Sequence, residues 1–222
     1  MIKWGIVGAG NIAHSFSKDL ALASGGELTA VASRNLDKAQ SFASEYGAPY
    51  AYGSYEELFH SKTVDVIYIA TPHTTHAKLS IAAMKAGKSV LCEKPVGVNK
   101  DEVEEMIKVA KENNVFFMEA LWTRFNPTII KVKELVDNGT IGDIGYLHAD
   151  FAFFALDRDE NGRLLNPALA GGSLLDIGIY PIFLSYLMLG KPKDIKASAN
   201  FHKTGVEVQI SMIFNYEKAQ AI

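Results

Sequence analysis

The chain has 222 residues, 48% hydrophobic and 21% charged, with a formal net charge of -3 at pH 7, which implies a folded protein with room for two domains and a substantial core without help from metals or disulfides. The slightly acidic balance, with no run of Lys or Arg, argues against a nucleic-acid partner, and no apolar run is long and unbroken enough to predict a membrane span or, after Met1, a signal peptide. The single cysteine, Cys92, lies in an apolar run and is expected to be a buried, inert thiol, which fits a reducing cytoplasm.

In chain order, residues 2–7 form a short apolar run ending in glycines, and residues 12–23 carry apolar side chains at helical spacing, so the opening predicts strand, tight turn and helix. The cycle repeats with strands at 28–32, 50–52, 64–70, 89–92 and 115–119 and helices at 37–46, 55–60, 75–86 and 99–113. Gly87 stands where a helix end is expected. Alternation of this kind predicts an α/β fold with a parallel sheet covered on both faces and ligands outside the carboxyl ends of the strands. Past residue 122 the pattern changes to a helix at 127–137, a strand at 145–154, a Gly/Asn/Pro-rich loop, an apolar helix at 174–189 and strands at 195–202 and 206–214. The reading is a Rossmann domain over 1–122 and an α+β domain with a mostly antiparallel open sheet over 123–222. A turn at 215–218 leads into a strand that stops at Ile222, so the chain is expected to be part of a longer protein.

Several groups of residues carry chemistry. Gly8-Ala9-Gly10-Asn11-Ile12-Ala13 has the spacing of a dinucleotide fingerprint, directly after a strand and opening a helix, where backbone N–H groups and the helix dipole face a pyrophosphate. The second strand ends in Ser33-Arg34-Asn35, with no acid to bind a ribose hydroxyl and a guanidinium suited to a 2'-phosphate, which favours NADP and leaves NAD as the alternative. Asp37, the nearest acid, falls in a first helical turn, a position that the helix dipole by itself explains. Glu93-Lys94-Pro95 follows a buried strand, and the residue before a proline is held extended, so Lys94 is either a fixed ammonium available for proton transfer or a plain surface lysine. Asp176 and Tyr180 stand four apart in an apolar helix, the pattern of a polar pair lining a cavity or of a core tyrosine beside a capping acid.

Taken together, the GxGxxA opening, Glu93-Lys94-Pro95 and the glycine turn into Asp176-x-Gly178-x-Tyr180-Pro181 resemble the glucose-fructose oxidoreductase, inositol dehydrogenase and MocA (GFO/IDH/MocA) superfamily along the whole chain. The stretch 118–127 is similar to the branch containing dimeric dihydrodiol dehydrogenases. The resemblance implies that Thr71, Pro72, His76 and Glu93 lie beside the nicotinamide, that Lys94 orients the reacting hydroxyl, that Tyr180 is the general acid/base, and that Asp176 and His76 position substrate. Trp122, Arg124 and Phe125 would line the cofactor crevice or serve as packing. It also implies NADP(H)-dependent hydride transfer at a carbinol carbon of a small sugar, polyol or cyclic diol, with no metal, in a homodimer. Cofactor-assisted elimination without net redox change and a non-catalytic NADP-binding sensor are the competing readings.

Overall fold

The computed structural model describes residues 1–222, which divide into two compact units, Met1–Ala120 and Leu121–Ile222. In the first unit β1 (Ile2–Val7), α1 (Asn11–Leu22), β2 (Gly26–Ala32), α2 (Leu36–Tyr46), β3 (Tyr50–Tyr52), α3 (Tyr55–His60), β4 (Val66–Ile69), α4 (His76–Lys85), β5 (Ser89–Cys92), α5 (Lys100–Glu112) and β6 (Phe117–Glu119) follow one another. The six strands form one parallel sheet in the order β3-β2-β1-β4-β5-β6. This order reverses between β1 and β4, the place where such sheets open a ligand crevice at their carboxyl edge.

Both faces of the sheet are buried, which explains the continuous apolar runs. Ile6, Val31 and Tyr68 pack with Ala13, Phe42 and Ala43 on one side, and Val7, Ile67, Ile69 and Val90 with Met84, Met106 and Val109 on the other. Local signals set the helix starts: Asn35 accepts from Lys38 N at 3.0 Å, Ser54 from Glu57 N at 3.3 Å and Asn99 from Glu102 N at 2.9 Å. A single 3-10 turn, His73–Thr75, precedes α4 and delays its start by a residue from the expected one.

The second unit contains α6 (Pro127–Asp137), β7 (Tyr146–Leu147), a π-helical turn (Leu174–Gly178) running into α7 (Ile179–Leu189), then β8 (Asp194–Phe201), β9 (Glu207–Asn215) and β10 (Gln220–Ala221). The sheet order is β7-β10-β9-β8, antiparallel except for the β10–β7 pair. Of the strand expected over 145–154, Tyr146–Leu147 pairs with Gln220–Ala221. One further bond, Ala149 N to Ile222 O at 2.9 Å, ends that pairing.

The stretch Pro167–Leu189, with a hydropathy of 1.5, is apolar and long enough to cross a membrane by length and composition, against the reading that no such run exists. It is not one continuous helix, however. Ala170 at φ 53 and Gly172 at φ 121 interrupt it, and the π-helical turn and α7 together begin only at Leu174.

Candidate active site

After Val7 the backbone turns through Gly8 at φ 96, where a Cβ would lie 2.7 Å from the Ala70 carbonyl oxygen and 3.0 Å from Thr71 Cγ2. Only glycine fits this close approach to the end of β4. Gly10 precedes α1 with no side-chain cap, the first turn has no acid, and a Cβ at Gly10 would meet nothing within 4 Å. Asn11 and Ile12 are exposed on the same turn. The helix therefore presents its N-terminal N–H groups and positive end to open space, an arrangement that fits a dinucleotide pyrophosphate.

At the end of β2 the nearly buried Ser33 hydroxyl accepts from Asn35 N at 3.3 Å, and Arg34 is exposed. Asp37 sits in the first turn of α2, where the helix dipole favours it.

Lys94 follows β5, and its peptide bond to Pro95 is cis. The surrounding backbone is tied down by side chains from three elements. Glu93 accepts from the Tyr68 hydroxyl and, through its other oxygen, from Lys94 N at 3.2 Å. Glu119, at the end of β6, accepts from Val96 N at 2.8 Å. His76 places Nδ1 2.8 Å from the Pro95 carbonyl oxygen and Nε2 2.8 Å from that of Thr71.

Burial, reinforced by the Glu93 charge and hydrogen bond, pushes the Tyr68 hydroxyl upward, so Tyr68 stays a donor. Burial also raises the Glu119 carboxyl; the Val96 N–H opposes this, Glu93 adds to it, and His76 and Lys94 oppose it. Burial pushes the Cys92 thiol up to about 12, matching the inert thiol expected of it.

His76 departs from its expected role. It is 0% exposed with both ring nitrogens on backbone carbonyls, so it holds the chain rather than a substrate. Tyr68 and Glu119 were not legible as site residues. The only signal for Glu119 is that its strand neighbours β5 at the same sheet edge.

In the second unit Asp176 is 7% exposed and accepts from Arg163 Nη1 at 2.9 Å. A charge this buried needs an opposite charge, and Arg163 supplies one, while Asp176 also lines a cavity of about 280 Å³. Arg163 comes from the loop before the π-helical turn, which docks closely: a Cβ at Gly171 would be 2.7 Å from the Leu164 carbonyl oxygen. Glu207 accepts from Leu174 N at 2.8 Å and so covers the start of that turn.

Tyr180 has different company. Trp122 Nε1 donates to its hydroxyl at 3.3 Å, and the Phe151 ring lies 5.5 Å away. The cavity of about 280 Å³ is lined by Asp176, Ser173, Ile177, Phe153 and Val208. Trp122 is 61% exposed and Arg124 is exposed, on a 3-10 turn (Trp122–Phe125). Within its unit Trp122 acts as the partner of Tyr180.

Residues 2–121 match the oxidoreductase family with an NAD-binding Rossmann fold, and residues 129–222 match the GFO/IDH/MocA C-terminal domain. The chain belongs to the GFO/IDH/MocA oxidoreductase family. A trans-1,2-dihydrobenzene-1,2-diol dehydrogenase from Mus musculus is 42% identical over 219 residues, covering 97% of this chain and 65% of the relative. The chain thus spans about 65% of that relative's length.

Among solved structures, an aldose-aldose oxidoreductase from Caulobacter crescentus, complexed with glycerol, superposes with a TM-score of 0.92 at 28% identity, covering 99% of this chain and 69% of that one. A 3-ketoreductase from Actinomadura kijaniata, in complex with NADP and TDP-benzene, gives a TM-score of 0.89 at 29% identity, covering 99% and 68%. The GFO/IDH/MocA resemblance carried by the motifs therefore holds over both units.

Proposed function

We propose that this GFO/IDH/MocA protein transfers a hydride between NADP(H) and a carbinol carbon of a small sugar, polyol or cyclic diol. The observation that carries the reading is the carboxyl edge of the parallel sheet, where the uncapped glycine turn after β1 and the side-chain-anchored Lys94 after β5 lie two strands apart. The relatives with printed activities, a diol dehydrogenase, an aldose oxidoreductase and a ketoreductase, support the substrate class.

When bound, the nicotinamide ring supplies the hydride acceptor or donor. Lys94 Nζ donates a hydrogen bond to the substrate oxygen and fixes its orientation. On reduction Tyr180 Oη gives its proton to the substrate oxygen and is reprotonated from solvent; on oxidation the same oxygen, having first lost its proton to solvent, takes the hydroxyl proton. The Trp122 indole N–H, already bonded to Tyr180 Oη, steadies that oxygen in either protonation state. Asp176, held by Arg163, positions the substrate.

NADP is preferred over NAD because Arg34 is exposed at the end of β2 and no acid occupies that position. The protein is read as a cytoplasmic homodimer, an assignment supported by the family resemblance and by the buried thiol of Cys92. Light scattering of the purified protein and cell fractionation test these two points.

The deciding experiment screens sugars, inositols and cyclic diols while following reduced-cofactor absorbance, with titrations of both dinucleotides into wild type and Arg34→Asp. Turnover of one of these classes and tighter binding of NADP than NAD are expected, with the preference moving toward NAD in the variant. No turnover with any carbinol, or equal binding of NAD by wild type, would overturn the corresponding part of the reading.

A further inference from the structure

His76 has a hydrogen-bonding pattern that a neutral ring cannot satisfy. Both acceptors it faces, the carbonyl oxygens of Thr71 and Pro95 at 2.8 Å each, can only accept. A neutral imidazole has one N–H and would present a lone pair to the other oxygen; a ring carrying both protons donates to both.

A buried cation needs countercharge. The acidic groups on the neighbouring elements are Glu119 from β6, which accepts from Val96 N, and Glu93 at the end of β5, which accepts from Tyr68 of β4. The remaining neighbours are Lys94 itself and His73, whose ring is 5.8 Å away. The positive end of α4, which His76 begins, opposes a charge on the ring, and Glu119 and Glu93 are the groups that would offset it.

What the ring joins gives this arrangement its use. Thr71 packs beside Gly8 in the glycine turn, and Pro95 follows Lys94 directly. The backbone around Lys94 is then pinned at consecutive points: Lys94 N by Glu93, the Pro95 carbonyl by His76, and Val96 N by Glu119. The geometry points to His76 as a positioning residue, a two-donor clamp that sets the lysine-bearing loop in register with the end of β4 and the glycine turn. The inference rests on the proposed role of Lys94, and it concerns how that lysine is placed.

The two bonds can be separated by substitution. In His76→Asn the amide nitrogen falls near the place of Nδ1 and keeps the Pro95 bond, whereas in His76→Gln it falls near Nε2 and keeps the Thr71 bond. Hydrogen exchange at the Lys94 and Val96 amides is measured in the full protein beside kcat, KM and NADP affinity. In His76→Gln the amides are expected to exchange about tenfold faster or more, and kcat to fall by about tenfold to a hundredfold with KM and NADP affinity nearly unchanged. His76→Asn, which keeps the bond to Pro95 and loses the one to Thr71, should lose less than His76→Gln on each readout but fall measurably below wild type.

Equal losses in the two variants, tracking their thermal midpoints, would reduce His76 to a core filler and overturn the proposal, as would unchanged exchange in His76→Gln. Should neither variant fold, long-range nitrogen NMR of the wild-type ring decides, since two protonated nitrogens support the clamp and one bare nitrogen overturns it. Lys94→Ala run alongside separates the two failures. Intact turnover in that variant removes the role of Lys94, while the exchange data still judge the clamp.

Discussion

In Met1–Ala120 the sheet is closed on both faces, with Ile6, Val7, Val31, Ile67 and Ile69 all at 0% exposure, whereas in Leu121–Ile222 the π-helical turn packs on β9 and Ser198, Ser211 and Ile213 stay exposed on the strands. The consequence for the site residues is specific. In the first unit Lys94 rides on a strand end whose position the whole core determines, and backbone hydrogen bonds finish the placement. In the second, Asp176 accepts from Arg163, a loop residue, and Tyr180 accepts from the exposed Trp122. The closed unit is suited to fixing a reactive group through its packed core.

The largest expected effect compares the two units through their reactive groups. Lys94→Ala and Tyr180→Phe should each lower kcat by about a hundredfold to ten-thousandfold with cofactor binding retained, measured by steady-state kinetics and dinucleotide titration. Near-normal turnover in one variant only would show that the reaction depends on a single unit for its proton.

Stability provides the next contrast. Ile67→Ala should cost about 2–5 kcal/mol by leaving a cavity in the closed core, whereas Ile213→Ala, at a residue 36% exposed, should stay within about 0.5 kcal/mol. Denaturant unfolding of both checks this, and similar losses would mean that the open face is covered in solution.

A sharper pair uses the two tight glycines, since a Cβ would lie 2.7 Å from a backbone carbonyl oxygen at both Gly8 and Gly171. Alanine at either should cost about 1–3 kcal/mol. Only Gly8→Ala should also abolish dinucleotide binding, and loss of binding in Gly171→Ala would contradict the division of labour.

The smallest effect is a pH slope confined to the first unit. Glu119 has its carboxyl raised above the ordinary 4.5, chiefly by burial. The folded protein then binds this proton more tightly than the unfolded chain, so its contribution is most favourable below 4.5 and is lost as pH rises through the raised value. Glu119→Gln, which keeps an acceptor for Val96 N, should flatten that decline. An unchanged slope of urea midpoint against pH would assign the dependence to another group.

By itself the sequence determined the alternation of the first unit, the glycine turn, Ser33-Arg34 and the place of Lys94. Strand and helix periodicities are local, and a parallel sheet carries every functional loop to one edge. Element ends moved by a residue or two, as with β6, which starts at Phe117 rather than at 115. The tertiary structure alone decided the rest: β7 pairs in parallel with Gln220–Ala221, Asp176 is met by Arg163 thirteen residues away, Glu119 reaches back twenty-three residues to Val96, and His76 bridges two carbonyls. Each of these is a hydrogen-bond or charge pairing between groups distant in the chain. Periodicity registers whether a side chain is buried, and it carries no record of which donor the fold brings to which acceptor.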